Sequence, residues 1–439
     1  MKTFSINTLG CKVNQYESQQ IRQLLERLGL SQVKTSQKPD LVVVNTCCVT
    51  RTASAKSRQY IRKAQKLSPN ATVVACGCLP SVQIGELNGL GENVCLISHR
   101  DELTRRLSQI AISIIKTEND TKINCKNDLE LPYLTSFKNH TRAFLKIQDG
   151  CDGYCTYCIV PKTRPFVHSK PADSVLQEAK ALVGAGHKEI VVTGVFLGAY
   201  GQQTVRRNNW PNQQNNKLAN LLDKMAQIPG LARIRLSSLE PADVTPRLLD
   251  TFCKHRNIMP HLHLSLQSGS NAVLKKMCRH YNADDFREKV ELIKSRLVRP
   301  AITTDIIVGF PTENDADFEQ TVSLAKEVGF ARMHVFIFSP RKGTTAAEMR
   351  DILDTKVTKE RSKILRDLDK KLQSDFRHQF VGETAEVLLE NSSCRFQGRT
   401  ERYFYVYLDK SADRLKANDL IKVKLLKNNE DGVLGELTS

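Results

Sequence analysis

Apolar and polar positions fall into distinct regimes along the chain. Over residues 1–115, short apolar runs alternate with helically spaced apolar positions: 4–9 read as a strand, 16–28 as a helix, Leu41-Val42-Val43-Val44 as a buried strand, 52–67 as a basic helix and 72–75 as a strand. Strand–helix–strand order with short links predicts a doubly wound parallel sheet with helices on its faces. Residues 116–140 are polar and mixed in charge, and read as a linker. Alternation returns over 141–372, with strands expected at 143–147, 189–193, 233–237, 261–266, 302–308 and 332–338. Such units fall short of the eight that close a barrel, so a partial (β/α)6 barrel is expected. An Asn- and Gln-rich insertion at 202–217, carrying the lone Trp210 as a surface anchor, reads as a surface loop. From 376 to 439 the chain changes to short strands at 383–389, 402–408, 419–426 and 433–437, studded with Arg399, Arg402, Lys410, Arg414, Lys416, Lys422, Lys424 and Lys427. This predicts a small basic β-barrel of a kind that binds nucleic acid.

Composition narrows the picture. No run approaches the roughly 20 apolar residues of a membrane span, and the start of the chain lacks a signal-peptide pattern. A net charge of +18 suits a polyanionic partner, because Lys and Arg neutralise phosphate. The 13 cysteines are odd in number and lie in a long chain, which argues against a disulfide framework and for metal ligation in a reducing cytosol.

The cysteines form two groups. Cys151-Asp-Gly-Tyr-Cys155-Thr-Tyr-Cys158 directly follows the first barrel strand. Three thiolates so close together wrap one corner of a [4Fe–4S] cluster and leave one iron open for a ligand. A zinc site would need a fourth Cys or His, and none has the usual spacing. Cys11, Cys47 and Cys78 are far apart in sequence, yet each follows a strand of the first domain. Carboxyl ends of parallel strands share one edge, so these three converge on a second open cluster. Gly10 and Gly77 precede two of them and permit close backbone approach. On spacing alone, Cys48 or Cys76 serves equally well in place of its neighbour. Cys95, Cys125, Cys253, Cys278 and Cys394 show no pairing pattern and read as ordinary thiols.

Particular strings resemble a known family. Thr8-Leu-Gly-Cys11-Lys-Val-Asn-Gln-Tyr-Glu17, Asn45-Thr-Cys47, Gly77-Cys78, the 151–158 loop, Arg235-Leu-Ser-Ser-Leu-Glu-Pro241, His263-Leu-Ser-Leu-Gln-Ser-Gly269 and Asp305-Ile-Ile-Val-Gly-Phe-Pro311 are similar to the radical S-adenosylmethionine methylthiotransferases. The last segment resembles their TRAM domain, and residues 9–18 and 49–62 look most like the branch that modifies threonylcarbamoyladenosine in tRNA. The resemblance implies two [4Fe–4S] clusters, an auxiliary one on Cys11, Cys47 and Cys78 and a radical-generating one on Cys151, Cys155 and Cys158, with S-adenosylmethionine as cofactor. It implies that a 5′-deoxyadenosyl radical removes hydrogen from adenine C2 and that a methylthio group replaces it. Other branches act on isopentenylated adenosine or on a ribosomal-protein aspartate. A rival of another class is a non-catalytic, redox-sensing iron–sulfur RNA-binding protein.

At the barrel-strand ends, Thr193, Gly194, Ser237, Glu240, Ser265 and Gln267 are candidates for cradling S-adenosylmethionine; each also reads as a strand-end hydrogen bond. Arg279 is a candidate for an RNA phosphate or a solvated helix end, and Arg402 and Tyr403 for the anticodon arm. Two departures touch substrate contacts: Pro165 stands where a glycine usually follows the arginine, and Phe196 where histidine is common. The expected partners are tRNA, an external electron donor and a sulfur donor of unspecified identity, with the chain acting as a cytoplasmic monomer.

Overall fold

The computed structural model describes residues 2–82, 84–87, 89–115, 131–206, 215–390, 396–408 and 415–438. Cys125, Cys394, Trp210, Lys410 and Arg414 lie outside them.

The first domain runs β1 (Thr3–Thr8), α1 (Lys12–Arg27), β2 (Ser31–Gln32), β3 (Leu41–Thr46), α2 (Arg51–Leu67), β4 (Thr72–Gly77), α3 (Cys78–Val82), β5 (Val94–Leu96) and α4 (Leu103–Ile115). Its five strands are all parallel, in the order β2-β1-β3-β4-β5. Alternation along each strand sorts the core onto two faces. Val43, Val74 and Cys76 pack with Ile21 of α1 and Leu107 of α4. Val42, Val44, Val73 and Ala75 pack with Ile61 of α2 and with Cys78 and Leu79 of α3. The sheet is therefore doubly wound, and order reverses between β1 and β3, the place where such sheets open a crevice.

The second domain runs β6 (Ala143–Asp149), α5 (Val160–Thr163), β7 (His168–Ser169), α6 (Ala172–Gly184), β8 (Glu189–Gly194), α7 (Lys217–Met225), β9 (Arg233–Leu236), β10 (Ser238–Leu239), α8 (Pro246–Lys254), β11 (His261–Leu264), α9 (Asn271–Lys276), α10 (Ala283–Arg296), β12 (Ala301–Val308), α11 (Asp315–Val328), β13 (Arg332–Ile337) and α12 (Thr355–His378). Its sheets, β7-β6-β8-β9 and β10-β11-β12-β13, join through the parallel bridge of Ile234 to Ile258 and curve into an open barrel. β7 pairs antiparallel to β6 at the rim, an addition that periodicity did not reveal because it is two residues long.

The last domain is a closed barrel, β14-β15-β16-β18-β17, of β14 (Thr384–Glu390), β15 (Gln397–Thr400), β16 (Tyr405–Leu408), β17 (Leu420–Asn428) and β18 (Val433–Leu437). The sequence pattern missed β15, whose Gln-Gly-Arg-Thr lacks apolar alternation, and set the next strand three residues too early.

The structure also alters two expected boundaries. Residues 131–140, read as linker, bind the first two domains together: Leu134 and Phe137 lie in the barrel core, and Gln20 and Gln23 of α1 donate to the carbonyls of Pro132 (3.0 Å) and Tyr133 (2.8 Å). The junction expected at 372–376 falls inside α12, which continues from the barrel onto the last domain.

Candidate active site

The first cysteine loop is set by the end of β6. Gly150 has a φ of +78°, and a Cβ there would lie 1.7 Å from the Phe166 carbonyl oxygen, so only glycine fits this turn. Cys151 N–H donates to the Arg164 carbonyl (2.9 Å), and Thr156 is tied to the turn after α9 through the Met277 (3.2 Å) and Lys276 (2.9 Å) carbonyls. Gln148, unremarked in the sequence, clamps the rim: its amide donates to the carbonyls of Asp149 (2.9 Å) and Gly150 (2.8 Å) and accepts from Phe196 N–H (2.7 Å). Burial pushes the Cys151 thiol up to about 11 and Cys158 up to about 12. Without a metal these sulfurs are held neutral and crowded. Iron would supply the charge that their thiolates need.

A cavity of about 370 Å³ opens over this loop. Its lining includes Cys151, Cys155 and Cys158, the candidates Glu240, Ser265 and Gln267, and, from the first domain, Val49 and Thr50. Three sulfurs of one short loop, under open space, fit a cluster with one free iron. Thr193, Gly194 and Ser237 stand behind the wall: Val195, Phe196 and Ser238 face the cavity instead. Thr193 and Gly194 pair in the ladder with Lys146 and Gln148. The buried Ser237 hydroxyl has no hydrogen-bond partner among the described residues.

Arg279 is not on the surface, and the expectation that it meets an RNA phosphate is corrected. Its side chain is 5% exposed, ion-paired with Glu240, and donates to Cys155 Sγ at 3.0 Å and to Tyr281 Oη at 3.1 Å. The sequence placed it at a helix end; the fold turns that end inward under the cluster loop.

The second group lies at the carboxyl edge of the first sheet. Cys11 caps α1, Cys47 follows β3 and Cys78 opens α3. Gly10 has a φ of +106°, and a Cβ there would lie 2.9 Å from Cys47 Cβ and 3.2 Å from its sulfur. Burial pushes Cys47 up to about 11, and the Cys78 and Cys11 sulfurs push in the same direction. Period two along β4 turns Cys76 to the opposite face, into the core with Leu103. Cys48 is buried under the carbonyl of Cys78 (3.4 Å), and its thiol is raised by burial and by neighbouring sulfurs that include Cys158 of the other group. The two groups are therefore neighbours.

Arg164 joins them. Its guanidinium donates to Glu17 (2.9 and 3.0 Å), Asp149 (2.7 Å) and Asn14 (3.2 Å), while its carbonyl holds the cluster loop. Glu17 is buried, and Arg100, Arg164 and Lys146 outweigh its desolvation and hold its carboxyl far below the usual range. The departure at Pro165 thus follows a residue that docks domains rather than one that meets substrate. Phe196 lines the cavity.

Arg402 and Tyr403, expected at the anticodon arm, are instead locked into the junction between the two barrels. Arg402 donates to the carbonyls of Arg299 (2.9 Å) and Val298 (3.1 Å) and covers the Phe380 ring. The Tyr403 hydroxyl accepts from Arg142 (2.9 Å), and its ring lies beneath Arg142, Arg235 and Arg399.

Comparison with known proteins gives these sites a context. Residues 3–98 match the uncharacterized protein family UPF0004, and residues 145–325 match the radical SAM superfamily. The chain is 36% identical over 438 residues to the threonylcarbamoyladenosine tRNA methylthiotransferase of Chlamydia pneumoniae, covering 99% of this chain and 98% of the relative. It is 34% identical to the protein of that name from Bacillus subtilis (97% and 94% covered) and 33% identical to the tRNA-2-methylthio-N(6)-dimethylallyladenosine synthase of Pelotomaculum thermopropionicum (91% and 89%). In fold it is similar to the radical S-adenosylmethionine methyltransferase TsrM of Kitasatospora setae, with a TM-score of 0.53 at 14% identity, covering 79% of this chain and 75% of that one. With relatives this similar along nearly the whole chain, and cysteine groups of this geometry, the protein belongs to the radical S-adenosylmethionine methylthiotransferase family.

Proposed function

We propose that the protein is a tRNA methylthiotransferase that converts N6-threonylcarbamoyladenosine next to the anticodon to its 2-methylthio derivative. The observation that carries this reading is the pair of neighbouring three-thiol groups, one of which lines a cavity of about 370 Å³. The substrate follows the names of relatives that are 36% and 34% identical along nearly the whole chain. Cys151, Cys155 and Cys158 would hold one [4Fe–4S] cluster, and Cys11, Cys47 and Cys78 the auxiliary one. When bound, the clusters and S-adenosylmethionine would supply the methyl group and the radical chemistry that the C2–H bond needs, which no acid–base pair can open, and a sulfur donor of unspecified identity would supply the sulfur.

The chain's own residues bind, orient and exclude water. Glu240, Ser265 and Gln267 cradle the polar end of S-adenosylmethionine, and Thr193, Gly194 and Ser237 set the wall that bears them. Arg279 keeps Glu240 paired and covers Cys155, which fixes the loop. Val195, Leu197, Ile307, Phe336 and Phe338 make one part of the wall apolar, where water has few partners. An external electron donor feeds the reaction, and the enzyme works as a monomer in the cytoplasm.

The test is an anaerobic reaction of the reconstituted protein with S-adenosylmethionine, reductant and tRNA bearing threonylcarbamoyladenosine, read by nucleoside mass spectrometry. A methylthio gain on that nucleoside supports the reading. A gain only on isopentenyladenosine moves the substrate, and absence of 5′-deoxyadenosine with both clusters present overturns the enzyme in favour of a redox-sensing RNA-binding protein.

A further inference from the structure

With Arg402 and Tyr403 half-buried and their polar groups spent at a domain junction, a surface that meets RNA is sought elsewhere. Helix α2 is the strongest candidate. It contains Arg51, Lys56, Arg58, Arg62, Lys63 and Lys66 and no acidic residue. Its apolar side, Ile61 and Ala64 with Ser54 and Ser57, is buried on the sheet. At 100° per residue, Arg51, Arg62, Lys66, Lys63 and Lys56 follow one another around the outward half of the helix, and all five are exposed. None of these five side chains makes an ion pair among the described residues. This is unlike α12, where Lys363 pairs with Asp367 at 3.2 Å. Tyr60 stands on the same outward half, 41% exposed.

The position of the helix matters as much as its charge. Thr50, which caps α2 with its hydroxyl on Ala53 N–H (3.1 Å), also lines the active cavity, as does Val49 before it. Arg51 N–H donates to Ser339 Oγ of the barrel (3.0 Å), so the start of the helix is fixed at the cavity mouth. From there the cations extend over fifteen residue steps, about 22 Å at 1.5 Å per residue, enough to follow several phosphates.

We propose that the outward face of α2 is the track on which the ribose–phosphate backbone flanking the target adenosine lies, with Arg51, Lys56, Arg62, Lys63 and Lys66 meeting phosphates. The proposal rests on the tRNA reading above. An extruded base in the cavity leaves its own backbone at the mouth, and α2 is the uncompensated basic surface that begins there. A ridge of five cations with one exposed ring, in which Thr52 and Gln59 are the exposed polar uncharged residues, suits contact that goes mainly to the backbone.

The experiment uses the full-length, cluster-loaded protein and a synthetic anticodon stem-loop carrying threonylcarbamoyladenosine. Affinity is measured from 50 to 200 mM salt for the wild type, for K56Q/R62Q/K63Q/K66Q on α2, and for K356Q/K359Q/K363Q/K371Q on α12, which removes equal charge. Iron content and melting temperature check folding. The α2 variant should bind at least tenfold more weakly, and its log–log salt slope should fall by about 0.7–0.9 for each phosphate no longer neutralised, about 3 in all. The α12 variant should keep the wild-type slope. Equal losses in both variants would reduce the effect to net charge and overturn the proposal, as would no loss in either. Weakened binding of whole tRNA with unchanged binding of the stem-loop would also overturn it. If the wild type binds the stem-loop through α2 but never methylthiolates it, the substrate reading fails and the RNA track stands.

Discussion

Two domain junctions of this molecule are built around buried arginines, and they do opposite things. Between the first sheet and the open barrel, Arg164 is surrounded by Glu17, Asp149 and Asn14, and two groups of three cysteines lie nearby, one of them lining a cavity. Between the open barrel and the last barrel, Arg233 and Arg235 spend their donors on the carbonyls of Glu386, Arg399, Thr400 and Glu401, Arg235 also pairs with Glu189 (2.9 Å), and Tyr403 fills the space beneath three guanidiniums. At the first junction, thiols that burial holds neutral surround a space. At the second, the donors of Arg233 and Arg235 other than Arg233 Nε go to protein acceptors, and the cavity of about 490 Å³ beside them is lined by Arg399, Arg402 and Tyr403 and by no cysteine. Neither buried charge nor open space alone marks a functional site. What marks this one is a set of thiols that the protein itself does not complete.

The largest effect that would sharpen this contrast is at the cysteines. Cys155→Ala should lose one cluster and bring 5′-deoxyadenosine formation to background. Cys47→Ala should retain that formation while losing methylthio incorporation, as read by iron content and nucleoside mass spectrometry. If both variants behaved alike, the two groups would form one functional unit rather than two.

Arg164→Met should come next. It removes one of the cations on buried Glu17 and Asp149 and leaves them Arg100 and Lys146, so the cost in chemical unfolding should be about 3 kcal/mol, the low end for a broken buried pair. Iron at the auxiliary cluster should be lost more than iron at the other, because Cys11 sits on the helix that Arg164 anchors.

The second junction predicts a smaller, pH-dependent effect. Burial pushes the Tyr403 phenol up, but Arg142 and Arg399 outweigh it and bring it down to about 8. A phenol whose folded value lies below its unfolded value of about 10 favours the folded state as it ionises. Its contribution is therefore absent below about pH 8, grows between pH 8 and 10, and is complete above that, reaching at most about 3 kcal/mol. Absorbance at 295 nm should show one phenolate forming near pH 8, and Tyr403→Phe should remove both that step and the added stability. The smallest effect is expected for Arg402→Ala: removing its two hydrogen bonds to carbonyls should cost about 1 kcal/mol of stability and change stem-loop affinity less than twofold, because the side chain serves the junction.

Much of this was legible in the sequence, since it depends on local spacing. The Cys-x3-Cys-x2-Cys run marks its own site wherever the fold carries it. Apolar periodicity marked the six barrel strands to within a few residues, because burial repeats with the geometry of the element. Motif resemblance identified the family. What spacing could not decide was direction and depth. Period two on β4 sends Cys76 into one core with Val74, and the strand ends at Gly77, whose φ is +90°, so that Cys78 opens α3 at the other face; neither follows from local spacing. Arg279 and Tyr403 carry the side chains of RNA contacts, yet a turn and a domain junction occupy them. Arg164 and Gln148 gain their roles only from partners distant in sequence or on neighbouring strands. The chain by itself determined which elements form and which residues can bind iron. Only the tertiary structure decided which polar groups face each other, because a side chain's partners are set by long-range packing that no local pattern records.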